Sequence, residues 1–277
     1  MTLLSLTQIV DSVRDLPTPP VVVMEILNQI DNDDLDIAEL ADKVNQDPAL
    51  TAKTLRIANS AYYASMVKVT TLHQAVSLLG MTTFRQIILN VALSGCFPEN
   101  NCAGFSHREF WLHSNAVAQV AKLLARRLNF NQDIAYTAGL LHDLGILVLV
   151  TRHSQAYQLV LAWREQHQCD TQSAERQVLG SDHCIAGREL GLQWNFSDPI
   201  VNAIAGHHHP LQAGLGFLAG LVHAADWIIH STADAEKTHP ELDPILRESL
   251  QLDASSLASM RLQAQEILDN LQQNLEI

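Results

Sequence analysis

The residues best suited to chemistry are His142 and Asp143, adjacent in Gly139-Leu-Leu-His-Asp-Leu-Gly-Ile-Leu-Val-Leu-Val150, where ten of twelve residues are apolar or glycine. Such a stretch reads as a helix that is apolar all round and lies inside the protein. A carboxylate in those surroundings costs several kcal/mol unless something compensates it. A cation is one compensation, and an adjacent His-Asp pair is a good ligand set for a divalent metal.

Other residues can point at that pair. Glu109 and His113 are four apart on one helical stretch, 107–128, and extend its inward stripe of Val117, Leu124 and Leu128. The plainer reading of Glu109 is a polar first turn that favours the helix dipole. His183 opens a helix after Ser181 or Asp182, where a histidine can equally be a surface or capping residue. His207 and His208 end a helix backed by Ile200 and Ile204, and at a terminus both can reach one site. His209 reads as solvated. Asp226 is a single carboxylate in the apolar stretch 216–230, with His223 three residues earlier as a candidate hydrogen-bond partner. Mixed imidazole and carboxylate donors suit Fe, Mn, Zn or Ni better than Ca or Mg. Eight candidate ligands exceed the needs of one ion, so one or two ions are expected. Two would polarise a phosphoryl group and generate a hydroxide between them, with Asp143 the first candidate for a catalytic role.

The elements that must position these groups are helical. Of the 277 residues, 47% are apolar and 17% charged, enough for one large domain or two small ones. Helical periodicity runs throughout, without strand alternation or a fixed-period repeat, which predicts an all-α protein. Asp47-Pro48 reads as cap and first turn, Thr71 as a cap for 72–79, and Thr82 or Thr83 as a cap for a helix to about Leu93. Pro98–Gly104 is the best candidate boundary. It divides the chain into an amino-terminal helical half, 1–98, a metal-site half, 105–230, and a helical extension, 231–277. The extension, with a regular apolar stripe from about Asp243, should dock on a subdomain or on a second copy of the chain.

The net charge of −13 repels nucleic acid and anionic membranes, so neither is expected as a partner. No apolar run is expected to approach the ~20 residues that span a bilayer, and the amino terminus lacks the pattern of a signal peptide. Cys96, Cys102, Cys169 and Cys184 form no CxxC pair and read as free thiols of a cytoplasmic protein.

The order His113, His142-Asp143, His183, His207-His208, Asp226 resembles that of the HD superfamily of metal-dependent phosphohydrolases. More narrowly, the chain from about Leu16 to His230 resembles bacterial HDOD-domain proteins. The amino half carries this in "LPTPP", "QDPALTAKTLRIANSAYY" and "TTLHQAVSLLGMTTFRQIILNVAL", the carboxyl half in "FWLHS", "AGLLHDLG", "LGSDHCIAGREL" and "AIAGHHHP". The resemblance implies an HD-type helical bundle with an amino-terminal helical subdomain, and a role in bacterial signal transduction. It implies a signalling protein as partner, with a phosphate-containing small molecule and a second copy of the chain as further candidates. Similarity to the related HD-GYP phosphodiesterases implies the ligand set Glu109, His113, His142, Asp143, His183, His207, His208 and Asp226. The chain departs from that branch at Ile146, where a lysine is expected, and at His209-Pro210-Leu211 after the double histidine. A signalling or regulatory module whose metal site is structural or sensory is therefore expected, with a phosphohydrolase acting on a phosphomonoester or nucleotide as the alternative and a metal-free helical scaffold as a third.

Overall fold

The computed structural model describes residues 3–28, 37–60, 68–97, 102–212, 214–233 and 241–274. Every regular element among them is a helix. In the amino-terminal half these are α1 (Leu6–Arg14), α2 (Val21–Asn28), α3 (Ile37–Asn45), α4 (Pro48–Ala58), α5 (Leu72–Leu79) and α6 (Met81–Cys96). Then come α7 (His107–Arg127), α8 (Gln132–Leu141), α9 (Leu144–Arg152), α10 (Ser154–His167), α11 (Thr171–Leu179), α12 (His183–Gln193), α13 (Asp198–Gly206), α14 (Gly216–Ala233), α15 (Pro244–Ser249) and α16 (Ala254–Asn274).

The caps explain most of the boundaries. Asp47 Oδ1 accepts from the amides of Ala49 and Leu50 at 2.9 and 3.0 Å, ahead of Pro48, which satisfies amides the helix itself cannot. Thr71 caps α5 through the amide of Gln74. One start differs from expectation. Helix α6 begins at Met81, without a side-chain cap, because Gly80 at φ 81° ends α5 and redirects the chain within one residue. That conformation is open to glycine and costs other residues about 1 kcal/mol or more.

The main correction concerns the stretch holding His142 and Asp143. It is two helices, broken at the pair itself, with α8 ending at Leu141 and α9 starting at Leu144. Residues Gln132–Arg152 are, by length and composition, apolar enough to cross a membrane, contrary to expectation. The most apolar window is 89% buried inside the protein, so it forms the centre of the core.

Helix α7 packs on α8 and α14, α9 crosses α12, and α13 packs on α12 and α14. Val117, Leu124, Leu147, Leu149, Ile204 and Leu221 share this core. The amino-terminal half is joined to it through α6. There Asn90 Nδ2 donates to Tyr136 Oη at 2.9 Å, and Phe97 lies 5.8 Å from Trp194 between ring centroids. Helix α1 packs on α9 and α12, and so joins the metal-site half rather than its own neighbours in sequence. The tail docks on its own chain. Helix α16 packs on α7 and α14 and buries Met260, Ala264, Leu268 and Leu271. The candidate boundary lies largely outside the described residues, which resume at Cys102.

Candidate metal centre

The break between α8 and α9 points both side chains inward. His142 is fully buried, and its Nδ1 lies 2.7 Å from the carbonyl oxygen of Gly139. A carbonyl only accepts, so Nδ1 carries the proton and Nε2 keeps its lone pair. That Nε2 is buried and makes no hydrogen bond. Asp143 stands between two groups of histidines. Its Oδ2 faces His142 Nε2 at 3.3 Å and His113 Nε2 at 3.8 Å. Its Oδ1 faces His207 Nε2 at 3.3 Å and His183 Nε2 at 3.4 Å.

Close helix packing makes this meeting geometric. A Cβ on Gly145 would lie 1.9 Å from the carbonyl oxygen of His183 and 2.6 Å from the amide of Gly187. Only the absence of a side chain lets the first turn of α9 rest against the first turn of α12. Asp182 caps α12 through the amide of Ile185 at 3.1 Å, and Arg176 Nε donates to its other oxygen at 2.6 Å. Glu175, fully buried on α11, accepts from the His183 backbone amide at 2.8 Å and from His183 Nδ1 at 2.6 Å. Its second oxygen accepts from Tyr157 Oη at 2.8 Å. This clamp turns His183 Nε2 to the centre.

His207 follows the same rule. Its Nδ1 donates to the Ile204 carbonyl at 2.9 Å and Nε2 faces Asp143. His208 Nε2 lies 3.0 Å from His183 Nε2. His223 serves here differently from expectation: its Nδ1 donates to the His207 carbonyl at 2.5 Å, fixing the end of α13 rather than orienting Asp226. Asp226, on α14, has Oδ1 3.2 Å from His113 Nε2. His209 is exposed, as expected.

Of the eight expected ligands, seven converge. Glu109 stands apart, exposed in the first turn of α7, where its amide donates to Ser106 Oγ at 3.1 Å. Among the described residues, three groups bring ligand atoms within 4.8 Å of one another: His113 with His142 and Asp143, His183 with Cys184, His207 and His208, and His113 with Asp226 and His230. Glu175, Cys184 and His230 were not singled out from sequence. Glu175 carried one signal, a lone carboxylate between Ala174 and Val178 on the inward face of α11. His230 carried another, the i,i+4 spacing from Asp226.

The electrostatics show which charges the centre favours. Burial pushes the Asp143 carboxyl up, but the imidazoles of His142, His207 and His183 outweigh it and hold it well below the usual carboxylate range. Burial lowers His207, yet Cys184 and Asp143 raise it to about 10. Burial likewise opposes a charge on His183, and Glu175 overrides it, holding that ring well above an ordinary histidine. Burial raises the Cys184 thiol, but His207 and His183 bring it down to about 6. His208 is pushed down to about 2 by burial and then by its two cationic neighbours. The carboxylates thus demand positive charge at this point. Protons on His183 and His207 supply it, and a divalent cation bound by the same lone pairs would supply it instead. The orphaned Nε2 of His142 and the donor set of imidazoles with carboxylates fit such an ion.

The model of the HDOD domain matches residues 16–210. An uncharacterized protein of Treponema pallidum (strain Nichols) is 23% identical over 203 residues, 73% of this chain and 39% of that protein. The chain therefore spans about two fifths of the length of this curated relative. A candidate phosphohydrolase from Shewanella amazonensis SB2B is 29% identical, with a TM-score of 0.72 over 95% of this chain and 97% of that one. A candidate signal transduction protein from Marinobacter aquaeolei VT8 is 25% identical, with a TM-score of 0.80 over 95% of this chain and 59% of that one. The family match covers α2 to α6 and the histidine centre through His208, so the chain belongs to the HDOD domain family.

Proposed function

We propose that this chain is a cytoplasmic signalling module of the bacterial HDOD type, holding one or two divalent transition-metal ions around Asp143. The observation that carries the reading is the division of the Asp143 carboxylate, one oxygen toward His142 and His113, the other toward His183 and His207. A regulatory rather than hydrolytic use is supported by the surroundings. Ile146 is buried in the core and offers neither donor nor charge. Arg188 pairs with Glu189 at 2.6 Å, and Arg176 with Asp182. The four cysteines are free thiols, consistent with a reducing compartment. The output would be a protein partner that reads the metal-dependent state of the module.

The second reading, a metal-dependent phosphohydrolase, is favoured by the same carboxylate, which faces both groups of histidines. When bound, two ions would supply a hydroxide and polarise a phosphoryl oxygen. Asp143, with an oxygen toward each group of histidines, would be among the residues that hold those ions. The likeness to the Shewanella protein supports this alternative.

Elemental analysis of the purified protein and its Asp143→Ala variant tests the metal. The wild type is expected to carry transition metal and the variant to lose it, together with about 2.7 kcal/mol of stability at a metal concentration a hundred times Kd. Unchanged metal content in the variant would refute the site at Asp143, and a wild type without metal would leave a metal-free scaffold. A phosphatase and cyclic-dinucleotide screen with Mn or Fe added separates regulation from hydrolysis.

A further inference from the structure

Helices α14, α15 and α16 line a cavity of about 810 Å³, and none of its lining residues belongs to the histidine centre. Its size falls within the roughly 300–1,000 Å³ of small-molecule pockets. Every lining residue lies beyond residue 210, where the HDOD match ends. Helix α14 serves both regions. Asp226 faces His113, while the next residue, Trp227, lines the cavity, with Ser231 and Thr232 one turn further on.

The lining divides by chemistry. Trp227, Leu242 and Leu257 are its apolar side. Arg247 and Arg261 supply positive charge. Arg261 lies over the Trp227 ring, 5.0 Å from its centroid, and Arg247 Nε donates to the Leu252 carbonyl at 3.4 Å. Although Glu241 also lines the cavity, neither arginine pairs with a carboxylate among the described residues. Arg14, Arg85, Arg152, Arg176 and Arg188 each do. In a chain of net charge −13, two such arginines in one cavity form a place for an outside anion. The hydroxyls of Ser231 and Thr232 donate to the Ile228 carbonyl at 3.1 and 2.7 Å, so toward a ligand they can only accept.

We propose that this cavity binds a small organic anion with a planar apolar body. Arg247 and Arg261 hold the acid, Trp227 faces the body, and Ser231 or Thr232 accepts a hydroxyl or amino hydrogen. A guanidinium meets a carboxylate or a phosphate through two parallel hydrogen bonds, so either acid fits. The site does not depend on a metal at Asp143.

The test is fluorescence titration of the full chain with anilinonaphthalene sulfonate, a planar anion with one N–H, and with phenylnaphthylamine, the same body without the acid. The wild type is expected to bind one sulfonate dye per chain, and the neutral dye at least about tenfold more weakly. Arg247→Gln and Arg261→Gln are each expected to weaken the sulfonate dye by about tenfold, the worth of one charge-assisted hydrogen bond, with unchanged helical circular dichroism. Arg261 is exposed, so its variant keeps the test valid if Arg247→Gln fails to fold. Arg14→Gln, far from the cavity in sequence, is expected to bind as the wild type does. Displacement of the dye by phenyl phosphate or by phenylacetate tells a phosphate ligand from a carboxylate, and displacement by neither would overturn the proposal. So would a wild type that binds no dye, equal affinity for the neutral dye, or unchanged affinity in Arg261→Gln.

Discussion

Glu175 Oε2 lies 2.6 Å from His183 Nδ1 and 2.8 Å from the His183 amide, with both side chains buried. One carboxylate oxygen thus sets the tautomer, ring orientation and helix start of a single histidine. Glu175→Gln keeps the shape but loses the charge, and is expected to weaken metal binding about 10- to 100-fold. Glu175→Ala also orphans Tyr157 Oη and is expected to destabilise the fold by about 3–5 kcal/mol, the range for breaking a buried pair. Metal titration and urea unfolding read the two effects separately.

Gly145→Ala tests the crossing of α9 and α12. In an open helix, alanine would stabilise relative to glycine by up to about 1 kcal/mol. Here the added Cβ would lie 1.9 Å from backbone, so the helices must separate. A net loss of about 1–3 kcal/mol is expected, along with weaker metal binding as His183 moves away from Asp143. A gain in stability in chemical denaturation would contradict the packing argument.

His153 Nε2 lies 2.8 Å from Ser12 Oγ and ties α1 to the metal-site half. Burial, then the Arg152 charge, lower its pKa. The unfolded chain, with an ordinary histidine near 6.5, then binds the proton more readily than the folded one. This contribution is complete above about pH 6.5 and is lost as pH falls below it toward the folded value. His153→Gln is expected to flatten the decline in urea midpoint between pH 7.5 and 5.5. Equal declines in both proteins would count against the link.

Cyclic-dinucleotide turnover by the Mn- or Fe-loaded protein is expected to lie far below ~1 per second, the low end of ordinary enzyme rates. Ions alone do not align a large dianion, and misplacement costs about a hundredfold. The buried Ile146 supplies no phosphate contact, and the chain carries a net charge of −13. Steady-state rates near 1 per second would favour the hydrolase reading.

The sequence by itself determined the helical class and the principal anomaly. Helical periodicity and caps such as Asp47 and Thr71 are local properties, set within four residues. A charged pair amid apolar neighbours at His142-Asp143 is visible without any partner, because its desolvation cost is written in its surroundings. Only the tertiary structure decided how the groups meet. The close crossing of α9 and α12 depends on the contact of Gly145 with His183, 38 residues away in a numbering that periodicity cannot relate. Glu109 and His113 share a helical spacing, yet only His113 lies deep enough along α7 to reach Asp226. Glu175 and His230 carry only weak local signals in one dimension, an inward helical position and an i,i+4 spacing. Packing buries Glu175 against His183 and turns His230 onto Asp226, because which face of a helix becomes the inside is settled by the other helices.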